Sequence, residues 1–141
     1  MGLLRGRMPR NLGAQDGKLA PCRRTPNCVS SQGDAQSDPG HSVEPLSFSA
    51  QPRHAWNALR AVVAGMERVT LREERHGYLH AEFASKVLGF VDDAEFLLDG
   101  RAKVIHVRSA ARLGRRDFGV NRKRVETIRG LLEKAINDRR K

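Results

Sequence analysis

Two hydrophobic periods organise the chain from residue 51 onward. Trp56, Leu59, Val62, Val63 and Met66 recur at helical spacing, with Pro52 before them and Gly65 near their end. This predicts an amphipathic helix over about residues 53–66, with Ser49 or Gln51 near its cap. The period then drops to two. After "RVTLREE", the pair His76-Gly77 leads into a segment where Leu79, Ala81 and Phe83 alternate with Tyr78, His80 and Glu82. Next, Ala94, Phe96 and Leu98 share one face while Asp93, Glu95 and Leu97 share the other. Asp99-Gly100 carries the signal of a two-residue hairpin. Beyond it, Ile105 and Val107 alternate with Val104, His106 and Arg108. Helical spacing returns with Val125, Ile128, Leu132 and Ala135 or Ile136, over about residues 121–138, with Asn121 as cap.

The order is therefore α-β-β-β-β-α. The expected fold is α+β: a four-stranded antiparallel meander with both helices on its apolar face. Residues 1–50 differ in kind. Pro9, Pro21, Pro26, Pro39 and Pro45 fall there, with a polar tract "SSQGDAQSDPGHS". Proline is excluded from helix interiors and central strands, so this part reads as an extended, partly ordered arm packing on a domain of residues 51–141.

Charge adds a direction. The chain has 26 Lys and Arg against 16 Asp and Glu, a net +10. Residues 112–141 hold eleven of the cations and four acids, so +7 sits in that segment alone. The excess favours anionic partners. Aromatic residues are only 5% of the chain, too few for the stacking platforms of a nucleic-acid binder. No apolar run is long enough to span a bilayer, and "MGLLRGRMPRNLG" lacks the continuous apolar core of a secretory signal. The expected setting is cytoplasmic, where cysteines stay reduced.

Several blocks together resemble a known family. They are "APCRRTPNCVSSQ" with His41 and "EPL" after it, "DDAEF", and "VRSAARLGRRDFGVNRKRVE". The chain resembles the bacterial and plastid family labelled domain of unknown function 1499, over about residues 13–135. The resemblance implies that these blocks form one module and implies no activity, substrate or cofactor. Family members commonly carry an uncharged pair where this chain has Arg23-Arg24 or Arg115-Arg116.

The strongest candidate site is the polar sheet face. Glu82, Asp93, Glu95 and Arg108 alternate along three consecutive strands, and Arg112, Asp117, Asn121, Arg122 and Arg124 follow. The arm, with Asn27, Ser30, Ser31 and His41, is the segment available to cover them. One reading is a salt-bridged network that anchors the arm, because structural ion pairs imitate functional ones. The functional reading is a non-enzymatic binding module taking a small molecule or a protein between arm and sheet. An acid–base enzyme using Asp93 and Glu95, or Glu82, is the alternative. A third is electrostatic binding of nucleic acid or an anionic membrane through the basic C-terminal helix. No Walker loop, HExxH or GxGxxG is present, so no cofactor is expected. "DFG" at 117–119 lacks the rest of a kinase signature. Cys22 and Cys28 are separated by five residues, looser than zinc ligands prefer, so no metal is expected either. Cys22, beside Arg23 and Arg24, is the reactive-thiol candidate, and Cys28 reads as packed and inert.

Overall fold

A computed structural model describes residues 5–86, 88–114 and 119–138. The elements run β1 (Ala14–Gln15), β2 (Lys18–Leu19), β3 (Cys28–Ser30), a 3-10 turn (Pro39–His41), β4 (Leu46–Ser47), α1 (Pro52–Ala64), β5 (Val69–Arg75), β6 (Tyr78–Ala84), β7 (Val91–Asp99), β8 (Val104–Ala111) and α2 (Val120–Asp138). Both helices and the antiparallel run β5 to β8 lie where the periodicity places them. The sheet itself is larger than the expected four-stranded meander. It has six strands, ordered β3-β8-β7-β6-β5, with β4 also pairing on β8. β1 and β2 form a separate two-stranded hairpin.

The arm is thus part of the sheet. Cys28, Val29 and Ser30 pair with Ala110, Ser109 and Arg108, and Leu46 and Ser47 pair with Ile105 and Val104. These strands are two or three residues long, too short to show a period of two. What identifies them is a free β8 edge whose backbone groups need partners.

The core forms where the helices meet the apolar sheet face. Ala55, Ala58, Leu59 and Val63 of α1 pack with Val125, Ile128, Leu132 and Ile136 of α2 onto Leu79, Ala81, Phe83, Ala94, Phe96, Ile105 and Val107. Phe96, Ile105 and Leu59 are fully buried. Pro52 starts α1 because its missing N–H is an orphan there in any case. Asn121, expected as a cap, lies inside α2 and is completely buried. Its Oδ1 accepts from Ser109 Oγ (2.6 Å) and Arg124 Nη1 (2.7 Å), and its Nδ2 donates to the Asn27 carbonyl (3.2 Å). It is a polar bolt joining helix, last strand and arm.

The two Asp-Gly pairs exchange roles with expectation. Asp99-Gly100 does not make a two-residue turn. Asp99 pairs with Val104, leaving residues 100–103 as the loop, with Lys103 at φ 56° and Asp99 Oδ1 accepting from the Ala102 N–H. The two-residue turn is Asp16-Gly17, both at positive φ (53° and 74°), between β1 and β2. His76-Gly77 closes β5 to β6, with Gly77 at φ 75°.

That contrast is measurable. Gly77→Ala places a Cβ on left-handed backbone and is expected to cost about 1 kcal/mol. Gly100→Ala meets only ordinary contacts with Pro52, at 3.5 and 3.6 Å, and is expected to change stability by less than about 0.5 kcal/mol. Urea denaturation of both variants checks the difference.

Candidate functional site

Strand alternation sends every second residue of β6, β7 and β8 away from the helices. On that far face stand Tyr78, His80 and Glu82, then Asp93 and Glu95, then Arg108. The register sets Glu82 opposite Asp93, His80 opposite Glu95, and Glu95 opposite Arg108. A charged face would ordinarily be solvated. Here Glu95 is 0% exposed, Asp93 1%, His80 3%, and Glu82 and Arg108 4% each.

Buried charges must be paired, and Arg112 does most of the pairing. Its Nε and Nη2 grip both oxygens of Asp93 (2.7 and 2.8 Å), and Nη2 also reaches Glu82 (2.6 Å). His80 Nε2 lies 2.7 Å from Asp93. Burial acts to raise the Asp93 pKa, but the hydrogen bonds from Arg112 and His80 outweigh it and hold the carboxyl below its usual range. The Asp93 and Glu82 carboxylates in turn strengthen the proton affinity of Arg112. Glu95 Oε2 accepts from the Tyr78 hydroxyl and from the Gly13 N–H (2.7 Å). Burial, then the bond to Glu95, pushes Tyr78 up, so it stays a phenol.

The cover differs from the one expected. It lies in the arm, as expected, but over the carboxylates it is residues 5–13 rather than Ser30 to His41. Arg5 pairs with Glu82 (3.0 Å), and Gly13 donates to Glu95. Sequence reasoning missed this because residues 5–13 show no period. The signal that was available is "RGRMPR", three arginines close to one another along the chain. Tyr78 and His80, which the candidate set above lacks, are legible by their alternation with Leu79 and Ala81.

Between this cover and the β8 edge lies a cavity of about 530 Å³. Arg7, Arg10, Arg23, Arg108 and Arg112 line it, against one carboxylate, Asp93. Asp93 is already held by Arg112 and His80. Arg7, Arg10 and Arg23 have no ion-pair partner among the described residues. Arg108 is buried, its ion-pair partner among the described residues is Glu95 at 3.7 Å, and its Nε has no hydrogen-bond partner among them. Burial therefore lowers its pKa against the pull of Glu95 and Asp93, and the Arg23 charge lowers it further.

One wall comes from residues 22–28, which contribute Arg23, Thr25, Asn27 and Cys28. Cys22 is not a free thiol. It is bonded to Cys28 across a Cα separation of 5.6 Å, within the span a disulfide accepts. The loop doubles back so that its ends meet. Asn27 Nδ2 donates to the Gly114 carbonyl (2.6 Å), fixing this wall to the end of β8.

The other candidates lie elsewhere. Ser30 is buried in β3, and its Oγ accepts from the Gln32 N–H (3.1 Å). Ser31 Oγ meets His106 Nδ1 (3.1 Å) and accepts from the Val107 N–H. Asn121 belongs to the helix side of the sheet. Arg122, expected on a solvated helix face, donates to the carbonyls of Ser42, Pro39 and Gly40 (2.7, 3.2 and 3.1 Å). Arg129 likewise ties Pro45 and Glu44, and its carboxylate partner is Glu126. His41 holds Asp38 through Nδ1 (2.8 Å) and the Thr25 carbonyl through Nε2 (2.7 Å). Both partners accept, so both ring nitrogens carry protons. The carbonyl of Thr25, then Asp38, raises its pKa. Asp117, Arg115, Arg116 and the terminal Arg139, Arg140 and Lys141 lie outside the described residues.

A family model described as "Protein of unknown function (DUF1499)" matches residues 18–132. No curated protein and no solved structure matches the chain.

Two outcomes follow from the geometry. Arg112→Ala leaves Asp93 and Glu82 buried without their main cation and is expected to cost about 3–5 kcal/mol in urea denaturation. His41 has a folded pKa above its unfolded value of about 6.5. Its contribution is therefore complete below that pH and is lost as pH rises through the folded value. Urea midpoints from about pH 5.5 to about pH 9 should show wild type losing ground to His41→Gln as pH rises. A constant difference between the two would show that the imidazolium contributes nothing.

Proposed function

The chain belongs to the DUF1499 family, and we propose that it is a non-enzymatic binding module that takes a small oxyanion in the cavity between its N-terminal segment and the sheet. The observation that carries this reading is Arg108, a buried guanidinium lining the cavity whose Nε has no partner among the described residues. An unsatisfied buried donor costs about 1–3 kcal/mol. Glu95 Oε1, 3.7 Å from Arg108 Nη1, is likewise without a hydrogen-bond partner among the described residues, so the two do not close a pair, and a carboxylate, phosphate or sulfate group beside the Arg108 guanidinium would add the negative charge that Arg7, Arg10 and Arg23 face. The guanidinium fork suits such planar or tetrahedral oxygens.

The acid–base alternative has less support. Asp93 and Glu82 are held in ion pairs by Arg112 and Arg5, which leaves their carboxylate oxygens occupied. The anionic-surface alternative also has less, since Arg122, Arg124 and Arg129 are engaged with the arm, Asp92 and Glu126. No helix among the described residues is long and apolar enough to cross a membrane. The disulfide favours an oxidising compartment as the working environment, in place of the cytoplasm expected from the sequence.

Calorimetric titration with inorganic phosphate, sulfate and succinate at constant ionic strength tests the proposal. Saturable binding is expected for at least one of them, weakening as salt rises. Arg108→Gln should lower affinity roughly tenfold or more, the loss of one charge-assisted hydrogen bond. Because that change leaves Glu95 short of a cation, the exposed Arg23→Gln serves as a second variant that keeps the core intact. No saturable binding of any of the three anions would reject the reading.

A further inference from the structure

The disulfide and the arginine-lined cavity share atoms. Cys28 pairs with Ala110 and Ser30 with Arg108, so Cys28 and Arg108 project from the same face, two positions apart on neighbouring strands. Such diagonal neighbours have Cβ atoms about 7–8 Å apart, within reach of a side chain as long as arginine. Cys28 lines the cavity and is 2% exposed, whereas Cys22 is half-buried. Cys22 thus stands on the more exposed side of the bond, and Cys28 on the side of the cavity that Arg23 and Arg108 also line.

We propose that Cys22–Cys28 is a thiol–disulfide exchange site that switches the affinity of the cavity for its oxyanion. The proposal rests on the oxyanion reading above. The co-reactant is a dithiol. One of its thiolates attacks Cys22 Sγ, the bond between the sulfurs breaks, and its electron pair leaves on Cys28 as a thiolate. The second thiol of the reductant loses its proton to solvent and attacks the mixed disulfide, releasing Cys22 as a thiolate. Two electrons have passed to the protein, the reductant is now a disulfide, and each cysteine sulfur takes a proton or keeps its charge according to pH. Exchange is faster when the leaving thiolate is stabilised, and nearby cations stabilise thiolates. Arg108 and Arg23 are placed to do this for Cys28.

Two consequences oppose anion binding in the dithiol form. A Cys28 thiolate draws on the same cations that the oxyanion uses. Opening the loop also releases the covalent restraint on the wall that carries Arg23, Thr25 and Asn27. Linkage makes the effect mutual: if reduction weakens anion binding by a given factor, the bound anion resists reduction by the same factor.

The test equilibrates the full-length chain in mixtures of reduced and oxidised dithiothreitol, with and without saturating inorganic phosphate. Sodium chloride matches the ionic strength, and alkylation with mass spectrometry reads the disulfide fraction. Phosphate should shift the equilibrium toward the disulfide by roughly tenfold, and phosphate titration of the reduced chain should show affinity weaker by that factor. Circular dichroism of the reduced chain should remain native. In Arg23→Gln the phosphate-dependent shift should shrink. Phosphate binding equally to both forms, with no shift, would reject the switch and leave the anion site standing. The same titrations with sulfate and succinate complete the test, and binding of none of the three anions to either form would reject both. A reduced chain that unfolds would make the disulfide a structural staple and overturn the switch.

Discussion

Everything on the far face of the sheet depends on the Arg112 guanidinium and the two carboxylates it bridges. A sheet with one apolar face and one solvated face needs no such device. This sheet buries both, and the second buried face is charged. Arg112 makes that tolerable by spending its fork on Asp93 and Glu82 together. Pairs of this kind contribute little over a hydrophobic substitute, but they are severely costly to break. Their value is in specification. Only one register of β6 against β7 puts Glu82 opposite Asp93, and only one seating of the N-terminal segment brings Arg5 to Glu82 and Gly13 to Glu95. The segment seated in this way then forms the roof of the cavity.

Arginine does the same work at the other end of the molecule. Arg122 and Arg129 reach from α2 to backbone carbonyls at residues 39–45. Arg124 lies over the Phe83 ring at 4.6 Å and pairs with Asp92 at 2.9 Å. Much of the positive charge read from the sequence as a surface for partners is therefore internal fastening. Three cations left without a carboxylate among the described residues, Arg7, Arg10 and Arg23, gather instead at the cavity.

Legibility followed the length of each signal. α1, α2 and β5 to β8 each run long enough for a period of 3.6 or 2 to declare itself, and the same alternation placed Glu82, Asp93, Glu95 and Arg108 on one face. The arm strands were hidden because two or three residues carry no period and prolines flank them. Asp-Gly fixes a turn type only when the flanking register agrees. That is why Asp16-Gly17 turns tightly and Asp99-Gly100 does not. Asn121 read as a cap because its residue type favours one, whereas a fully satisfied network holds it inside the helix. The spacing of Cys22 and Cys28 permits a disulfide across a short loop; what argued against it was the cytoplasmic setting inferred from the sequence, and the bond is formed.

The pairing of the arm with β8 has a consequence for how the molecule is made. Residues 28–30 cannot dock until residues 108–110 exist, and Asn27 waits for Gly114. These are contacts of high contact order, joining the first quarter of the chain to the last third, and such closures slow folding. During synthesis the early segment must stay unpaired while the meander and α1 assemble behind it. Its prolines and short strands suit that interval, since they offer a growing neighbour little continuous edge on which to aggregate. The loop between Cys22 and Cys28, by contrast, is local and can close before any partner strand has been synthesised.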